Sequence, residues 1–283
     1  MILVIDAVNR DRYRSILDDM FRLRARVFGG RLGWDVQITD GMEKDAFDAL
    51  DPVYLVGLDA DDRVISCVRL LQTSGPHMLA DVFSDILQGQ PPLRAPDLWE
   101  STRFCVDTER LDSQTRGPGS VARATSELMS ATLDYARSCG ISDIITVIDP
   151  IMNRVLERSD NAPCGYVGAT VPMGKTKALA ALLDCTPERI ARVREFAAIT
   201  GDVFVDETAL RARLDGVRPV AKVYPPLTQD QLQQYCLEQL GAAQSLRDLA
   251  AAIELADAVL PSGQQARQPA ATDPNGRNRI MVE

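Results

Sequence analysis

The sequence has little histidine and no closely paired cysteines. His77 is its one histidine, and the six cysteines are scattered without a CxxC spacing. Zinc sites need several Cys and His ligands at short spacings, and a cysteine nucleophile needs a base such as histidine. We therefore expect no metal ion and no thiol chemistry, and we interpret the cysteines as reduced residues of the core. We expect His77, in SGPHML, to lie in a loop.

The sequence also lacks a long apolar run and an excess of positive charge. No run approaches the ~18 apolar residues of a membrane span, and MILVIDAVNR becomes charged too early for a secretory signal. The formal net charge is −9 and the pI is ≈ 4.8, whereas nucleic-acid binding needs a basic face. We expect a cytoplasmic protein with no membrane span and no nucleic-acid partner. The pattern leaves the oligomeric state open.

Helical and strand patterns alternate along the first half of the chain. Apolar residues at helical spacing predict a helix over residues 11–27, ended by Gly29 and Gly30. A polar stretch then runs to residue 51, where we expect an irregular connection or short helices. PVYLVGLD and VISCVRLLQT predict a hairpin, LADVFSDILQG a short helix, and LWESTRFCVD a strand.

The second half continues the alternation. GSVARATSELMSATLDYARSCG predicts a long helix closed by Gly140, and TPERIARVREFAA predicts a helix capped by Thr186. Between them, DIITVID, YVGATV and TKALAALLDC predict strands, and IMNRVLERS predicts a helix. This order indicates the α/β class, a mixed sheet flanked by helices. We predict a catalytic unit over residues 1–226, a helical extension over residues 227–260 and a disordered tail over residues 261–283.

One short stretch satisfies a loose form of the phosphate-binding loop. ATVPMGKT, residues 169–176, has the required glycine, lysine and threonine. That loop turns backbone N–H groups onto phosphate at the N-terminus of a helix. Pro172 lacks such a donor, and the residues that follow favour a strand. We interpret the stretch as a tight turn between two strands.

Cations and aromatics are concentrated in LRARVFGGRLGWDV, residues 23–36, and acids follow in EKDAFDALD. Asp45 and Asp48 are three apart, so one helical turn places both carboxylates on one face. Carboxylates beside guanidinium groups suit a zwitterionic ligand, since each end meets an opposite charge. A solvated loop with surface ion pairs is the alternative that composition leaves open.

WESTRF, residues 99–104, places Glu100 and Arg103 on a predicted strand. Partial burial raises the pKa of a glutamate and makes it a candidate general base. A structural ion pair is an equally good interpretation of the spacing.

The motifs RLRARVFGGRLGWDV, GMEKDAFDALDPVYLV, RLLQTSGPHMLADVF and WESTRF occur in this order and resemble those of the acyl-homoserine lactone synthases, the LuxI-type autoinducer synthases. The resemblance covers residues 1 to about 220. It implies a three-layer fold similar to GNAT-type N-acyltransferases, with a cleft where two strands splay apart. It also implies two substrates, S-adenosylmethionine and an acyl thioester on acyl carrier protein or coenzyme A, and no cofactor.

The resemblance also implies residue roles. Glu100 is the implied general base, with Arg103 beside it in the catalytic centre. The residues implied to bind S-adenosylmethionine are Arg24, Phe28, Trp34, Asp45, Asp48 and Arg69. Trp34 and Phe28 would enclose the adenosyl and sulfonium portion, Asp45 and Asp48 would face its positive charge, and Arg24 would hold its carboxylate and the N-terminal segment. Arg69 and Arg103 would brace the acids and the phosphopantetheine.

The acyl pocket is implied to include Phe83, Thr102, Thr146 and Met152. A threonine at the position of Thr146 is associated in relatives with tolerance of an oxygen at C3, but chain length is not readable. Basic residues of the second half could dock an acidic carrier protein or form an ordinary solvated surface: Arg154, Arg158, Lys175, Lys177, Arg189, Arg192 and Arg194. Two alternatives stay open, a GNAT-like acyltransferase acting on another amine and a non-catalytic binding relative.

Overall fold

The computed structural model describes residues 1–113, 120–174, 176–214, 228–242, 249–250, 252–253 and 256. The chain divides into two compact units, Met1–Pro219 and Val220–Glu283. The predicted boundary at residue 226 and the predicted disordered tail, residues 261–283, both lie outside the described residues. In the second unit the described helix falls within the predicted helical extension.

The strands of the first unit are β1 Ile2–Ile5, β2 Ile38–Thr39, β3 Met42–Glu43, β4 Val53–Leu58, β5 Val64–Gln72, β6 Leu98–Val106, β7 Asp143–Ile148, β8 Gly165–Met173 and β9 Thr176–Asp184. The helices are α1 Arg14–Arg24, α2 Met78–Asp81, α3 Thr108–Ser113, α4 Ser120–Ser138, α5 Pro150–Arg158, α6 Pro187–Phe196 and α7 Glu207–Leu214, with α8 Gln229–Ala242 in the second unit.

Seven strands form one mixed sheet in the order β1-β4-β5-β6-β7-β9-β8, and β2 pairs with β3 in a separate small sheet. Within the large sheet β6 and β7 are parallel, and the other neighbours are antiparallel. Alternate residues of a strand point to opposite faces. Tyr54 and Val56 of β4 therefore pack with α1, whereas Leu55 packs with α4. Helices on both faces give the predicted three-layer α/β fold.

The sheet opens between β6 and β7. Their paired positions begin at Leu98 and Asp143 and end at Ser101 and Thr146, although β6 continues to Val106. Beyond this point β6 carries a bulge, since Cys67 lies opposite Cys105 but Arg69 lies opposite Thr102. A bulge bends its strand and re-aims side chains. The predicted splayed cleft is therefore present, and we call it the fork.

Two local predictions were wrong, and the prediction for the polar stretch before residue 51 was right in part, since that stretch includes a short helix. The helix over residues 11–27 does not stop at the glycines, because α1 continues into a wider helical segment, Ala25–Arg31. A side chain at Gly29 would meet Ile38 Cδ1 at 2.5 Å, so this glycine allows close packing rather than ending a helix. The polar stretch before residue 51 contains the β2–β3 pair and a 3₁₀ turn, Ala46–Ala49. The single helix predicted over LADVFSDILQG is instead α2 and a separate 3₁₀ turn, Ser84–Leu87.

Other predictions were confirmed. Gly140 follows α4 with φ +78, a left-handed conformation that ends helices. The hydroxyl of Thr186 accepts from the Arg189 N–H and caps α6. The loose phosphate-loop match is the β8–β9 hairpin, with Pro172 opposite Lys177.

The cysteine interpretation is right for four positions, whereas Cys139 and Cys164 are exposed. Among the described residues, no helix is long and apolar enough to cross a membrane.

Candidate functional site

Charged side chains from α1, β3, β5, β6 and the turn at residues 46–49 meet on the α1 face of the sheet. We call this group the ion-pair cluster: Arg24, Glu43, Asp45, Asp48, Arg69 and Arg103. Three arginines face three carboxylates, so the formal charges cancel. Burying unpaired charges would cost several kcal/mol for each ion, roughly, and mutual pairing is what makes this interior position possible.

Arg24 is fully buried and used entirely inside the protein. Its Nε donates to Glu43 at 2.5 Å, and its two terminal nitrogens donate to the two oxygens of Asp48 at 2.8 and 2.9 Å. Burial opposes its charge, but the hydrogen bonds and charges of Asp48 and Glu43 raise the pKa of Arg24 above its usual range. These bonds use all three guanidinium nitrogens of Arg24, which favours its implied hold on the N-terminal segment over its implied contact with a ligand carboxylate.

Asp45 and Asp48 occupy one helical turn, as their spacing predicted. Asp45 caps the turn by accepting from the Phe47 N–H, and Asp48 accepts from the Asp45 N–H. Burial favours a neutral Asp48, but the hydrogen bonds and charges of Arg24 and the charge of Arg69 hold its pKa well below the usual range. Asp48 is therefore an ionised, fully partnered carboxylate, and the solvated-loop alternative is wrong for it.

Arg69 and Arg103 connect the cluster to β5 and β6. Arg69 contacts Asp45 at 2.5 Å and Asp48 at 2.8 Å, and Arg103 contacts Glu43 at 2.9 Å and Asp45 at 2.8 Å. Arg103 lies in the β6 bulge with φ 56, a conformation that non-glycine residues rarely adopt. The bulge thus turns the Arg103 side chain back toward Glu43, beside the fork.

Glu100 is fully buried on the same face, and its partners are backbone amides. Its two oxygens accept from the N–H groups of Met78 and Leu79, both at 2.6 Å, at the start of α2. Burial raises the pKa of Glu100 to about 7, while the two N–H groups and the charge of Arg69 oppose the rise. A carboxylate with this pKa can accept a proton near neutral pH.

Phe28 and Trp34 form a stacked pair with ring centroids 5.1 Å apart and planes 20° apart. Phe28 is 2% exposed and its ring lies 5.5 Å from the Arg103 guanidinium, whereas Trp34 is 45% exposed. The backbone N–H of Trp34 donates to the Phe28 carbonyl, and this bond fixes the segment that follows α1. One side of the pair is therefore part of the core, and the Trp34 side is accessible.

The residues implied for an acyl pocket lie on two faces of the sheet. Thr102 accepts from Arg69 Nε on the Glu100 face, where Phe83 packs beside Leu79 and Ile86. Thr146 donates to the Ser101 carbonyl at the fork, and Met152 of α5 packs in the core of the opposite face. The four side chains therefore divide between the two faces of the sheet, two on each.

The basic residues predicted to dock an acidic carrier are not all exposed. Arg189 is buried, bonded to Asp184, Asn161 and the Ala162 carbonyl. Arg194 bonds to Asp134 and the Gly201 carbonyl. Arg189 is therefore removed from this surface, and Lys175 lies outside the described residues. The exposed members are Arg154, Arg158, Lys177 and Arg192.

The sequence reasoning missed several parts of the site. Glu43 is fully buried and joins Arg24 to Arg103, and the Tyr54 hydroxyl donates to Asp48 at 2.7 Å. A possible signal for Glu43 was that it is an acidic residue only two positions before Asp45. The backbone amides that hold Glu100 have no sequence signal. Among the described residues, no group of three or more His, Cys, Asp or Glu side chains is arranged to hold a metal ion.

Comparisons with known proteins agree on one family. Residues 9–193 match the family model described as autoinducer synthase. An acyl-homoserine-lactone synthase of Agrobacterium fabrum is 38% identical over 182 residues, 64% of this chain and 85% of the relative.

Two solved structures are similar to the chain. The CoA-dependent acyl-homoserine lactone synthase MesI is 27% identical with a TM-score of 0.62, over 73% of this chain and 100% of that chain. TofI, in a ternary complex with an inhibitor and MTA, is 26% identical with a TM-score of 0.55, over 68% and 96% of the two chains. The span matched by the family model contains the ion-pair cluster, Glu100, the Phe28–Trp34 pair and the four residues implied for the acyl pocket.

Proposed function

The chain belongs to the autoinducer synthase family and is an acyl-homoserine-lactone synthase, and from this premise we propose which of its residues bind the substrates and transfer the acyl group. Enzymes of this kind make a quorum-sensing signal, an N-acyl-homoserine lactone, from S-adenosylmethionine and an acyl thioester. The observation that carries the proposal is Glu100, a buried carboxylate beside the fork that is held by two amides and has a pKa of about 7.

S-adenosylmethionine binds between the aromatic pair and the accessible edge of the ion-pair cluster. Trp34 stacks on the adenosyl portion and faces the sulfonium, since its ring is exposed and Phe28 supports it from behind. Asp45 is the partly exposed acid of the cluster and attracts the ligand's amine or sulfonium. Asp48 and Arg24 position these groups without touching the ligand, because both are buried and partnered. The MTA in the TofI complex supports binding of such a nucleoside.

Acyl transfer is the first chemical step. Glu100 accepts a proton from the ligand's α-amine, directly or through a water molecule, and the free amine attacks the thioester carbonyl. The C–S bond then breaks, the thiolate of the carrier leaves and takes up the second proton of the attacking amine, and an amide remains. A Glu100 pKa near neutrality suits this role, because the carboxylate is then both substantially ionised and basic.

Lactone formation is the second step. The carboxylate oxygen of the acylated ligand attacks its own γ-carbon, and the C–S bond of the sulfonium breaks with its electron pair on sulfur. Neutral methylthioadenosine leaves, so this step needs correct positioning more than acid–base help. Arg103, whose side chain is 11% exposed, is the member of the ion-pair cluster beside the fork and can contact the phosphopantetheine of the donor. Arg69 is fully buried, and we assign it only the bracing of Asp45 and Asp48.

The acyl chain passes through the fork. Thr102 and Phe83 line its entrance on the Glu100 face, and Thr146 and Met152 line its far side, which agrees with their placement on opposite faces. The donor is acyl carrier protein or coenzyme A. MesI is a CoA-dependent relative, and the exposed Arg154, Arg158, Lys177 and Arg192 suit an acidic carrier. Both substrates are made in the cytoplasm, where we place the enzyme.

One assay tests the proposal as a whole. The purified chain is incubated with S-adenosylmethionine and either acyl carrier protein or coenzyme A thioesters of several chain lengths, and products are measured by mass spectrometry. We expect one molecule of methylthioadenosine for each acyl-homoserine lactone. An acylated amine without methylthioadenosine would instead indicate a GNAT-like transfer to another amine, and no turnover with any donor would indicate a binding relative.

A further inference from the structure

The short helix α2 is what holds the Glu100 carboxylate. The first two N–H groups of α2, from Met78 and Leu79, donate to its two oxygens. The helix has four residues, and a helix this short gains little stability from its own hydrogen bonds. The direction of these two N–H groups therefore depends on contacts that anchor the start of α2 from outside.

His77, the residue immediately before α2, supplies such an anchor. It is fully buried, and its ring Nδ1 lies 3.0 Å from the Gly75 carbonyl oxygen. The backbone N–H of His77 donates to the Asp81 carboxylate, and the backbone N–H of Asp81 donates to the His77 carbonyl. Arg94 also donates to the Gly75 carbonyl and to those of Thr73 and Ser74. Three contacts thus fix the segment that leads into α2: the His77 ring, the His77 backbone and the loop held by Arg94.

The ring is oriented by that single bond. A carbonyl oxygen only accepts, so Nδ1 carries the proton and Nε2 is left with a lone pair. Nε2 is buried and finds no hydrogen-bond partner among the described residues, which is unfavourable because a buried polar atom loses its bond to water. An apolar residue would avoid this cost but could not donate to Gly75. The His77 ring therefore serves to fix the loop through its hydrogen bond to Gly75 rather than to fill space in the core.

We propose that His77 is a positioning residue that aims the Met78 and Leu79 N–H groups at Glu100 and thereby sets how readily Glu100 accepts a proton. The consequence for the rate rests on the proposed role of Glu100 as base. The effect on the carboxylate itself does not rest on that role, and the two can be measured separately.

The direction of the effect follows from the charges around both groups. N–H groups stabilise the ionised carboxylate, so they lower the pKa of Glu100 against the effect of burial; Arg69 also lowers it and Asp81 raises it. Around His77, burial and Arg94 lower the pKa of the ring, whereas the Gly75 carbonyl and Asp81 raise it. The pKa of His77 is lowered overall, which favours the neutral ring that donates from Nδ1 to the Gly75 carbonyl. Loosening the start of α2 weakens the two N–H bonds and raises the pKa of Glu100.

The test compares two substitutions of similar size. His77→Leu keeps volume but cannot donate to Gly75, whereas His77→Asn places an amide N–H where Nδ1 was. Glutamate δ-carboxyls are labelled with ¹³C, and the Glu100 signal is identified by its absence in Glu100→Gln. We expect His77→Leu to raise the Glu100 titration midpoint by about one pH unit and His77→Asn to leave it near the parent value. Because the chain has one histidine, its proton spectrum shows directly whether the ring stays neutral.

The rate of acyl transfer gives the second readout. The substrate amine titrates equally for both proteins, so the ratio of the parent rate to the His77→Leu rate depends only on the titration of Glu100. This ratio should reach about tenfold below pH 6 and approach one at pH 9. Asn9→Ala, which removes a side-chain bond to the Val4 carbonyl, controls for general destabilisation and should show no such pH dependence. His77→Gln, which remains polar but carries its amide further out, replaces the leucine variant if that does not fold.

Distinct results overturn the inference and the proposed function. An unchanged Glu100 titration in a folded His77→Leu or His77→Gln variant would overturn the inference, whatever the rate of that variant. A shifted titration with rates that do not follow it would instead remove Glu100 from the role of base and leave the positioning role of His77 standing.

Discussion

Asp48 and Glu100 are both buried carboxylates on the same face of the sheet, but their surroundings push their pKa values in opposite directions. Asp48 belongs to the ion-pair cluster, where Arg24 and Arg69 donate to it directly and overcome the effect of burial. Glu100 is held by two backbone amides, and burial prevails. Burial alone therefore does not decide in which direction the pKa of a carboxylate moves. The charge of its hydrogen-bond donors does.

The largest expected effect is on catalysis at Glu100. Glu100→Gln keeps the shape but removes the proton acceptor, so acyl transfer should slow by roughly 10² to 10⁴. Single-turnover acylation measures it. The loss should shrink as pH rises, because more of the substrate amine is then already free. Glu157→Gln, which changes an exposed glutamate bonded to Asn153, is the matched control. Near-normal acylation in Glu100→Gln would remove Glu100 from the role of base.

The next effect is on stability at Asp48. Asp48→Ala leaves Arg24 and Arg69 short of a partner in a buried site, so the free energy of unfolding should fall by about 3–5 kcal/mol. Urea denaturation measures the fall. Asp19→Ala, which breaks an exposed pair with Arg22, should change it by less than about 1 kcal/mol. A similar loss in the free energy of unfolding for both variants would mean that Asp48 and the ion-pair cluster do not stabilise the fold.

The pH dependence of stability should separate the two carboxylates. Folding raises the pKa of Glu100 from 4.5 to about 7, so its neutral form stabilises the fold below the unfolded pKa. That contribution is lost as pH rises through about 7, up to about 3 kcal/mol. Asp48 has the opposite sign, because its pKa is lowered and its contribution disappears only in acid.

Urea denaturation of Glu100→Gln and the parent at pH 5 and pH 8 checks this difference. The variant lacks the Glu100 titration, so its stability relative to the parent should increase between the two pH values. A constant difference would show that Glu100 has the same pKa folded and unfolded, and the contrast with Asp48 would fail.

The smallest expected effect concerns ligand binding. The donors and acceptors of Asp48 and Arg24 are used inside the cluster, so ligand affinity must come from accessible groups. Trp34→Ala should weaken S-adenosylmethionine binding by about 1–2 kcal/mol with little change in stability, since Trp34 is 45% exposed. Calorimetry with each substrate separately measures this. Equal weakening of thioester binding would assign Trp34 to folding of the segment instead.

Local predictions failed where packing between distant residues overrode local preference. Gly29 was expected to end a helix, but its missing side chain instead makes room for Ile38. LADVFSDILQG was expected to form one helix, but its start is tied to Glu100 on β6 and the helix stops at Asp81. Neither constraint can be seen within a window of a few residues.

The sequence by itself determined the alternation of helices and strands, the layered α/β class and, through its motifs, every member of the ion-pair cluster except Glu43. Periodic burial and turn chemistry act between near neighbours, so they can be read locally. Only the tertiary structure decided that Arg24 is closed off by Glu43 and Asp48, and that Glu100 meets amides from α2 rather than a guanidinium. These contacts join residues about twenty positions apart or more, and their geometry is set by how the strands pair and where β6 and β7 separate.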